Sequence, residues 1–301
     1  MSRSPRVGRI ESFAIVVGAY LVALVAALWT VVWMGDARPL ATVLVADLAA
    51  TLVVFAFSIA LDNGSMYDAY WSVAPPFLVA YWLGHATDAS PLRQAVVTAL
   101  VLAWAIRLTA NWARGWPGLH HEDWRYEQLY ATAPMPKWLV SLLGVHLFPT
   151  IQVYLGCLAL APALARGGSP FGVLDGMALL LTGGAILLET VADEQMRAFA
   201  RTKAPGDIMD GGVWAWSRHP NYLGELGFWW GLFLFGVAAD PASWWWTVSG
   251  PLAMTCMFLF ASIPLLDGRS LERRPGYAEH MRRVPALLPR PTRSTPRPSD
   301  R

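Results

Sequence analysis

The sequence predicts an all-α, polytopic protein that crosses a membrane about seven or eight times, on three observations. Hydrophobic residues make up 55% of its 301 residues and charged residues only 15%, whereas a soluble domain carries about 25% charged residues. Several apolar stretches are long enough to span a bilayer as helices, which takes roughly 20 residues. Lys and Arg concentrate on one side of these stretches. This composition excludes a disordered chain and argues against a soluble globule.

The apolar stretches give eight candidate spans joined by short connections. The third is short and contains Pro75 and Pro76, so we expect seven or eight spans. Unbroken apolar stretches exclude a transmembrane β-barrel, whose strands alternate apolar and polar residues. The first stretch is too long for the core of a signal peptide, and we expect it to be retained. The candidate spans are residues 13–33, 40–61, 70–84, 92–110, 139–161, 171–190, 221–239 and 244–264.

Charge placement predicts that both termini lie on the cytoplasmic side. With eight spans, nineteen of the 23 Lys and Arg residues fall on the side of the termini and three on the other, a strong positive-inside bias. We expect a multi-pass protein of the cytoplasmic membrane with one domain at residues 1–285. Residues 286–301 form a basic, Pro-rich tail that we expect to be disordered. Juxtamembrane arginines explain the tail better than a nucleic-acid partner does.

The densest polar motif is Ser-Arg-His-Pro-Asn-Tyr-Leu-Gly-Glu at residues 217–225. Pro220 suits the first position of a helix, and Asn221 and Glu225 lie four residues apart on one face of that helix. A helix N-terminus preceded by Ser, Arg and His suits a phosphate group. A carboxylate that enters the membrane needs a partner or a ligand. The alternative is a capped helix start with no ligand.

A polar stripe leaves the sixth candidate span, because its charged residues recur every four positions. The alternative to a binding surface is an exposed helix with ion pairs four residues apart, each worth a few tenths of a kcal/mol. The stripe consists of Glu189, Asp193, Arg197 and Arg201.

Three further features place polar residues at or inside the spans. Asn111 and Arg114 lie at a helix end, and an Asn63-Gly64 turn precedes Asp68. Asp47 stands alone within the second span, either as a packed polar residue or as a site group.

No metal site is expected from the histidines and cysteines. His120 and His121 are adjacent and cannot face one metal from one helix face. Cys157 and Cys256 fall inside spans, which predicts small, buried, apolar residues rather than a disulfide.

Three motifs together resemble the steroid 5α-reductase family, and most closely its bacterial branch of DUF1295-type membrane proteins. They are Leu-Glu-x-x-Ala-Asp-x-Gln at 188–195, the motif at 217–225, and Ser-Ile-Pro with Arg-Arg-Pro-x-Tyr within 262–277. The resemblance covers about residues 60–280. It implies a membrane reductase that uses NADPH, bound on the cytoplasmic face, to reduce a carbon–carbon double bond conjugated to a ketone in a lipophilic substrate.

The resemblance also implies site residues. In the animal members of this family a Glu and a Tyr in early helices hold the substrate ketone, and the nearest candidates here are Tyr67, Asp68, Tyr70 and Trp104. A hydrogen-bond donor at that ketone would stabilise the developing enolate. The residues expected to bind the cofactor are Asn111, Arg114, Glu189, Asp193, Arg197, Arg201, Ser217, Arg218, His219, Asn221, Tyr222, Glu225, Arg269 and Tyr277.

Two rival functions remain open. Arg-His-Pro-x-Tyr-x-Gly also occurs in membrane methyltransferases of the isoprenylcysteine and phospholipid type, which use S-adenosylmethionine. This chain has Asp267-Gly268 where those enzymes carry paired glutamates, and that difference favours the reductase. The third possibility is a non-enzymatic, lipid-binding membrane protein, against which the costly intramembrane polar residues count.

Overall fold

A computed structural model describes residues 7–35 and 37–288, and every regular element in this part of the chain is helical. The predicted tail therefore falls outside the described residues from residue 289 onward. The α-helices are α1 (Arg9–Met34), α2 (Pro39–Ala60), α3 (Tyr70–Gly84), α4 (Pro91–Gly115), α5 (Trp124–Thr132), α6 (Lys137–Val140), α7 (Phe148–Cys157), α8 (Val173–Thr202), α9 (Pro220–Ala239), α10 (Trp244–Thr247), α11 (Ser249–Met257), α12 (Ile263–Arg273) and α13 (Tyr277–Arg283).

Seven helical segments in the described residues are long and apolar enough to cross a membrane, which confirms the predicted fold class. Two of them are composite, because α6 and α7 lie within one continuous stretch and α10 to α12 within another. The third predicted span forms α3, whose 15 residues rise only about 22 Å at 1.5 Å per residue. The segments are Arg9–Met34, Pro39–Ala60, Pro91–Gly115, Lys137–Arg166, Val173–Thr202, Pro220–Ala239 and Pro241–Arg273.

Prolines mark where two of these helices begin, and π-helical turns interrupt the composite segments. Pro39 and Pro91 occupy the first turns of α2 and α4, where the missing N–H would have no helical partner. π-helical turns at Ser141–Leu147, Pro162–Arg166 and Phe258–Ser262 interrupt the two composite stretches. Turns of this kind often accompany functional positions.

The chain divides into two compact units. Unit 1 comprises Met1–Ala178 and Leu232–Ala253, and unit 2 comprises Leu179–Gly231 and Met254–Arg301. In unit 1, α1 packs on α2 and α3 packs on α4. The 3₁₀ turn Gly64–Tyr67 is buried among them.

An aromatic cluster closes the end of unit 1 at which α1 begins. Phe13 meets Trp112 and Trp116 edge-on, with ring centroids 5.6 Å and 5.2 Å away. Arg9 extends from α1 and donates hydrogen bonds to the carbonyl oxygens of Ala113 and Trp116. These contacts satisfy carbonyl groups that the end of α4 leaves without helical partners.

In unit 2, small residues let α8 and α9 approach closely. A Cβ atom on Gly224 would collide with Cγ of Glu189, and one on Gly231 would collide with Oγ1 of Thr182. Only glycine fits at such contacts. The close approach encloses Glu189 and Glu225, whose residues are 3% and 5% exposed.

The cysteines differ from one another. Cys157 is buried, as predicted, whereas Cys256 is exposed. The prediction is wrong for Cys256 because its helix turns that position outward.

A fully buried ion pair fixes the other end of unit 1. Arg93 and Asp175 are 0% and 1% exposed, and the guanidinium group meets both carboxylate oxygens, at 2.6 Å and 2.8 Å. Arg93 also donates to the backbone carbonyls of Ser169, Pro170 and Ala238. One arginine thereby joins α4, the loop before α8 and the end of α9.

Replacing only one partner of this pair is expected to destabilise the protein strongly. Arg93→Met leaves the Asp175 carboxylate buried without its cation, which costs about 3–5 kcal/mol. Reversible denaturation in mixed micelles measures the loss. The double variant Arg93→Met/Asp175→Leu should regain much of it, and Arg282→Ala, which breaks an exposed pair with Glu279, should leave the midpoint unchanged. A single variant as stable as the parent would contradict this reading.

Candidate functional site

The polar motif at residues 217–225 converges on Asp267 in unit 2. Arg218 donates to Oδ2 at 2.7 Å, and His219 lies 3.0 Å from Oδ1 through its Nε2. Tyr277 donates its hydroxyl hydrogen to Oδ1 at 2.7 Å. Both carboxylate oxygens are therefore occupied by donors of the chain itself. These three donors, Arg218, His219 and Tyr277, are among the residues expected to bind the cofactor.

The backbone of the same motif pairs with the segment after α13. The amide N–H groups of Arg218 and His219 donate to the carbonyls of Pro285 and Ala286, at 2.9 Å and 3.1 Å. Ser217 adds a side-chain hydrogen bond to Ala286 at 3.0 Å. The segment before α9 is thus fixed from two directions, by Asp267 and by residues 284–286.

Buried carboxyl groups follow within the first turns of α9 and on the facing part of α8. Glu225 accepts a hydrogen bond from the indole N–H of Trp229 at 2.9 Å. Glu189 lies against Gly224. Burial decreases along the predicted stripe, since Glu189 is buried, Asp193 and Arg197 are partly exposed and Arg201 is exposed.

The loop between α8 and α9 folds back onto the last turns of α8. Trp214 donates its indole N–H to the carbonyl of Ala192 at 3.0 Å, and the amide of Val213 donates to the side chain of Gln195 at 3.0 Å. Gln195 belongs to the first of the three motifs. This contact ties the side chain of Gln195 to the loop between α8 and α9.

The remaining residues expected to bind the cofactor fall into two groups. Asn221, Tyr222 and Arg269 are partly exposed in unit 2, and the Tyr222 ring stacks on His219 with centroids 5.6 Å apart. Asn111 and Arg114 lie in unit 1, in the last turns of α4. The set named from the sequence therefore divides between the units, with most members in unit 2.

In unit 1 the intramembrane carboxyl group of Asp47 pairs with Tyr70. Tyr70 donates its hydroxyl hydrogen to Oδ1 at 2.7 Å, and Asp47 is 4% exposed. The other oxygen, Oδ2, has no hydrogen-bond partner among the described residues. Sequence reasoning singled out both residues but did not connect them.

A second buried network surrounds the Tyr67 hydroxyl. Thr150 donates its hydrogen to the carbonyl of His146 at 2.8 Å. Because a hydroxyl has one hydrogen, Tyr67 and Thr51 must both donate to Thr150, at 2.6 Å and 2.7 Å. Sequence reasoning missed Thr51, Thr150 and His146, since threonine is common in apolar helices and no motif marks these positions.

The side chain of His146 is held in one tautomer. Its Nδ1 lies 2.9 Å from the carbonyl of Ser141, which can only accept, so Nδ1 carries the hydrogen. In the neutral ring, Nε2 then accepts from the Ser58 hydroxyl at 3.0 Å. The imidazole ring packs against Tyr67, with centroids 5.0 Å apart. The π-helical turn that contains His146 thus fixes both Thr150 and Tyr67.

Asp68 lies outside this network. It accepts a short hydrogen bond from Tyr126, and Arg125 and Asp123 lie close enough to influence its charge. Burial outweighs these neighbours and raises the pKa of Asp68 to about 7. Asp123 pairs with Arg125 at 2.9 Å. Of the three catalytic candidates named from the sequence, Tyr67 and Tyr70 lie together, with ring centroids 5.1 Å apart, and Asp68 is bound to Tyr126.

Tyr70 and Asp47 also line an apolar cavity of about 490 Å³ that lies among α1, α2 and α3 of unit 1. Apolar pockets with a few convergent polar groups are the usual sites of small-molecule binding. Its polar lining residues are Asp47, Tyr70, Tyr20 and Tyr81.

These helical spans and buried polar clusters define an integral, multi-pass membrane protein. The profile of the family described as "Protein of unknown function (DUF1295)" matches residues 54–284. The chain belongs to this family, as its motifs predicted.

One similar protein is "Uncharacterized protein C594.04c" of Schizosaccharomyces pombe. It is 28% identical over 264 residues, which cover 79% of this chain and 76% of the relative. No solved structure matches the chain.

Stability is expected to fall as the pH rises from about 4 to about 7, in part because of Asp68. The folded protein binds this proton more tightly than the unfolded chain, whose carboxyl groups titrate near pH 3.9, so deprotonation favours unfolding. Thermal unfolding across this range should show a smaller decline for Asp68→Asn than for the parent.

Asp123→Asn is the matched control. The Arg125 pair lowers the pKa of Asp123, so this variant should lose stability at neutral pH and retain the Asp68-dependent decline. An unchanged pH profile in Asp68→Asn would refute the assignment.

Proposed function

We propose that this protein is a membrane-embedded, NADPH-dependent reductase that acts on the carbon–carbon double bond of an enone in a lipophilic, steroid-like substrate. The observation that carries the proposal is the Asp47–Tyr70 pair on the wall of an apolar cavity. The resemblance to the steroid 5α-reductases implies a carboxyl group and a tyrosine in early helices that hold the substrate ketone. Asp47 and Tyr70 lie in α2 and α3 and match that requirement in chemistry.

Tyr70 is the proposed hydrogen-bond donor to the ketone. When bound, NADPH supplies a hydride to the β-carbon of the enone, which leaves negative charge on the carbonyl oxygen. A donor placed at that oxygen, in a site that excludes water, stabilises the charge. Uptake of a proton at the α-carbon then gives the saturated ketone.

Asp47 controls whether Tyr70 can donate. With Asp47 ionised, the Tyr70 hydrogen is given to Oδ1. With a proton on Oδ1, Asp47 donates to the Tyr70 oxygen, and the Tyr70 hydrogen turns to the ketone. A buried carboxyl group costs far less when neutral. We therefore assign the protonated carboxyl to the reactive form.

Unit 2 contains the donor set that suits the cofactor. Arg197, Arg201 and Arg269 supply cations for phosphate groups, and Asn221 supplies an amide in the first turn of α9. Arg218, His219 and Tyr277 are bonded to Asp267. We assign these three a role in fixing the segment before α9 rather than direct cofactor contact.

The state of Asp267 also bears on the methyltransferase alternative. A methyltransferase of the isoprenylcysteine type needs paired glutamates in this stretch, and this chain has one carboxylate there. Its two oxygens accept from Arg218, His219 and Tyr277, so they are not offered to a ligand. This occupancy favours the reductase.

NADPH is expected to stabilise the purified protein against thermal unfolding. At 100 times its dissociation constant, a ligand adds about 2.7 kcal/mol to the free energy of unfolding. Asn221→Ala and Arg197→Ala should weaken the NADPH-induced shift, whereas Arg282→Ala on α13 should retain it. Stabilisation by S-adenosylmethionine alone would support the methyltransferase. Stabilisation by neither, in a protein that binds lipid, would support the non-enzymatic alternative.

Removal of the Tyr70 hydroxyl is expected to slow turnover without weakening cofactor binding. Loss of one donor to a developing oxyanion costs about 10²–10³ in kcat, so Tyr70→Phe should fall by this factor in an NADPH oxidation assay with a lipophilic enone. Tyr154→Phe is the control, because that hydroxyl donates to the backbone of Leu40 elsewhere in unit 1. Equal activity of the two variants would exclude Tyr70 as the donor.

A further inference from the structure

A polar loop lies buried in unit 1, between α2 and α3. It comprises residues 61–69, and the 3₁₀ turn Gly64–Tyr67 in its middle is buried throughout. Asn63 and Ser65 are 3% and 1% exposed. Loops usually run over the surface, because a buried loop must find partners for its backbone polar groups. This loop therefore depends on partners from another part of the chain.

A second segment of unit 1 supplies these partners. Residues 119–126 form this covering segment, which runs from the connection after α4 into the first turn of α5. The side-chain amide of Asn63 donates to the carbonyl oxygens of Leu119 and His121, at 2.8 Å and 2.9 Å. One asparagine thereby holds the first half of the covering segment.

Two further contacts continue in the same register. The backbone N–H of Gly64 donates to Oε1 of Glu122 at 2.7 Å, and the backbone N–H of Asp123 donates to the hydroxyl oxygen of Ser65 at 2.8 Å. A Cβ atom at position 64 would lie only 2.8 Å from the Tyr130 hydroxyl and 3.1 Å from Oε1 of Glu122. Glycine allows this close approach.

The last contact of the series is made by Tyr126, which donates a short hydrogen bond to Asp68. The pairs 63–121, 64–122, 65–123 and 68–126 are each 58 residues apart. The loop and the covering segment therefore run side by side in the same direction. A shift of either one by a single residue would separate all four pairs.

The paired loop leads directly to two tyrosines of the buried clusters. Tyr67 is the last residue of the 3₁₀ turn, and Tyr70 is the first residue of α3. The two residues between them, Asp68 and Ala69, have right-handed helical backbone angles, so the turn continues into α3. The contact that holds Asp68 therefore also sets where Tyr70 lies relative to Asp47.

We propose that the covering segment positions Tyr70 for the proposed reaction, and that Tyr126 is a positioning residue. Tyr126 acts through Asp68, which fixes the start of α3 and hence the Tyr70 hydroxyl against Oδ1 of Asp47. A displacement of about 1 Å can cost a reaction roughly 10²-fold in rate. The role in turnover rests on the proposed function, whereas the positioning of Tyr70 requires neither cofactor nor substrate.

Fluorine NMR tests the positioning in lipid nanodiscs, with Tyr70 labelled as 3-fluorotyrosine. Asp47→Leu gives the signal of a Tyr70 hydroxyl that has lost its acceptor. Tyr126→Phe should move the Tyr70 signal by at least a third of that displacement. Tyr154→Phe is the control and should leave the signal unchanged, because its hydroxyl bonds to the backbone of Leu40 elsewhere in unit 1.

Two substitutions of Asp68 separate positioning from stabilisation. Asp68→Asn keeps an acceptor for the Tyr126 hydroxyl and should keep the parent Tyr70 signal, whereas Asp68→Leu should move it as Tyr126→Phe does. If Tyr126→Phe fails to fold, Ser65→Ala, which removes the acceptor of the Asp123 N–H, replaces it. A covering segment that only stabilises the fold would lower the thermal midpoint in Tyr126→Phe and leave the signal in place, and this result would overturn the proposal.

Turnover separates this proposal from the proposed function. With a lipophilic enone, Tyr126→Phe should lower kcat by about tenfold and should retain KM and the NADPH-induced thermal shift. In an active parent, an unchanged kcat or an unchanged Tyr70 signal in this variant would overturn the positioning alone. A parent that oxidises no NADPH with any enone would overturn the reductase, and the Tyr70 signal would still decide the positioning.

Discussion

The need to pair every polar group within an apolar medium determines the rest of this structure. No water in a bilayer core relieves an unsatisfied donor or charge, and several buried polar side chains pair with a distant segment of the chain. Arg93 meets Asp175 across 82 residues, and Arg218 meets Asp267 across 49. Such contacts specify which helices are neighbours, which apolar packing alone specifies poorly because lipid is as apolar as leucine. At Asp47, by contrast, Oδ2 has no hydrogen-bond partner among the described residues.

The fold could be predicted from the sequence because hydropathy is a local property. Seven spanning segments follow from stretches of about 20 apolar residues, and only α3, shortened and containing two prolines, departs from the rule. The candidate site was harder to predict. Asp47 was recognised as unusual, but its partner lies 23 residues away and depends on how α2 packs beside α3. Arg218 and His219 were expected to bind the cofactor, and no local pattern reveals that both also bond to Asp267.

The two units hold their polar residues in different ways. Unit 2 holds its polar residues at helix ends and ties them to one carboxylate, which suits a rigid support for a charged ligand. Unit 1 contains a buried cluster of polar residues that includes Asp47, Tyr70 and His146, and an apolar cavity lies beside Asp47 and Tyr70. Because the hydroxyl hydrogens of Tyr67 and Thr51 are both committed to Thr150, these two hydroxyl groups donate within the chain itself.

The π-helical turn at Ser141–Leu147 has an evolutionary consequence. A π turn corresponds to one residue inserted into an α-helix, and one residue rotates everything after it by about 100°. Homologues that lost this residue would turn Thr150 away from Thr51 and Tyr67, while the hydropathy of the segment stayed the same. An insertion or deletion between residues 141 and 147 in a homologue would therefore change this network of hydroxyl groups, even where every named motif is retained.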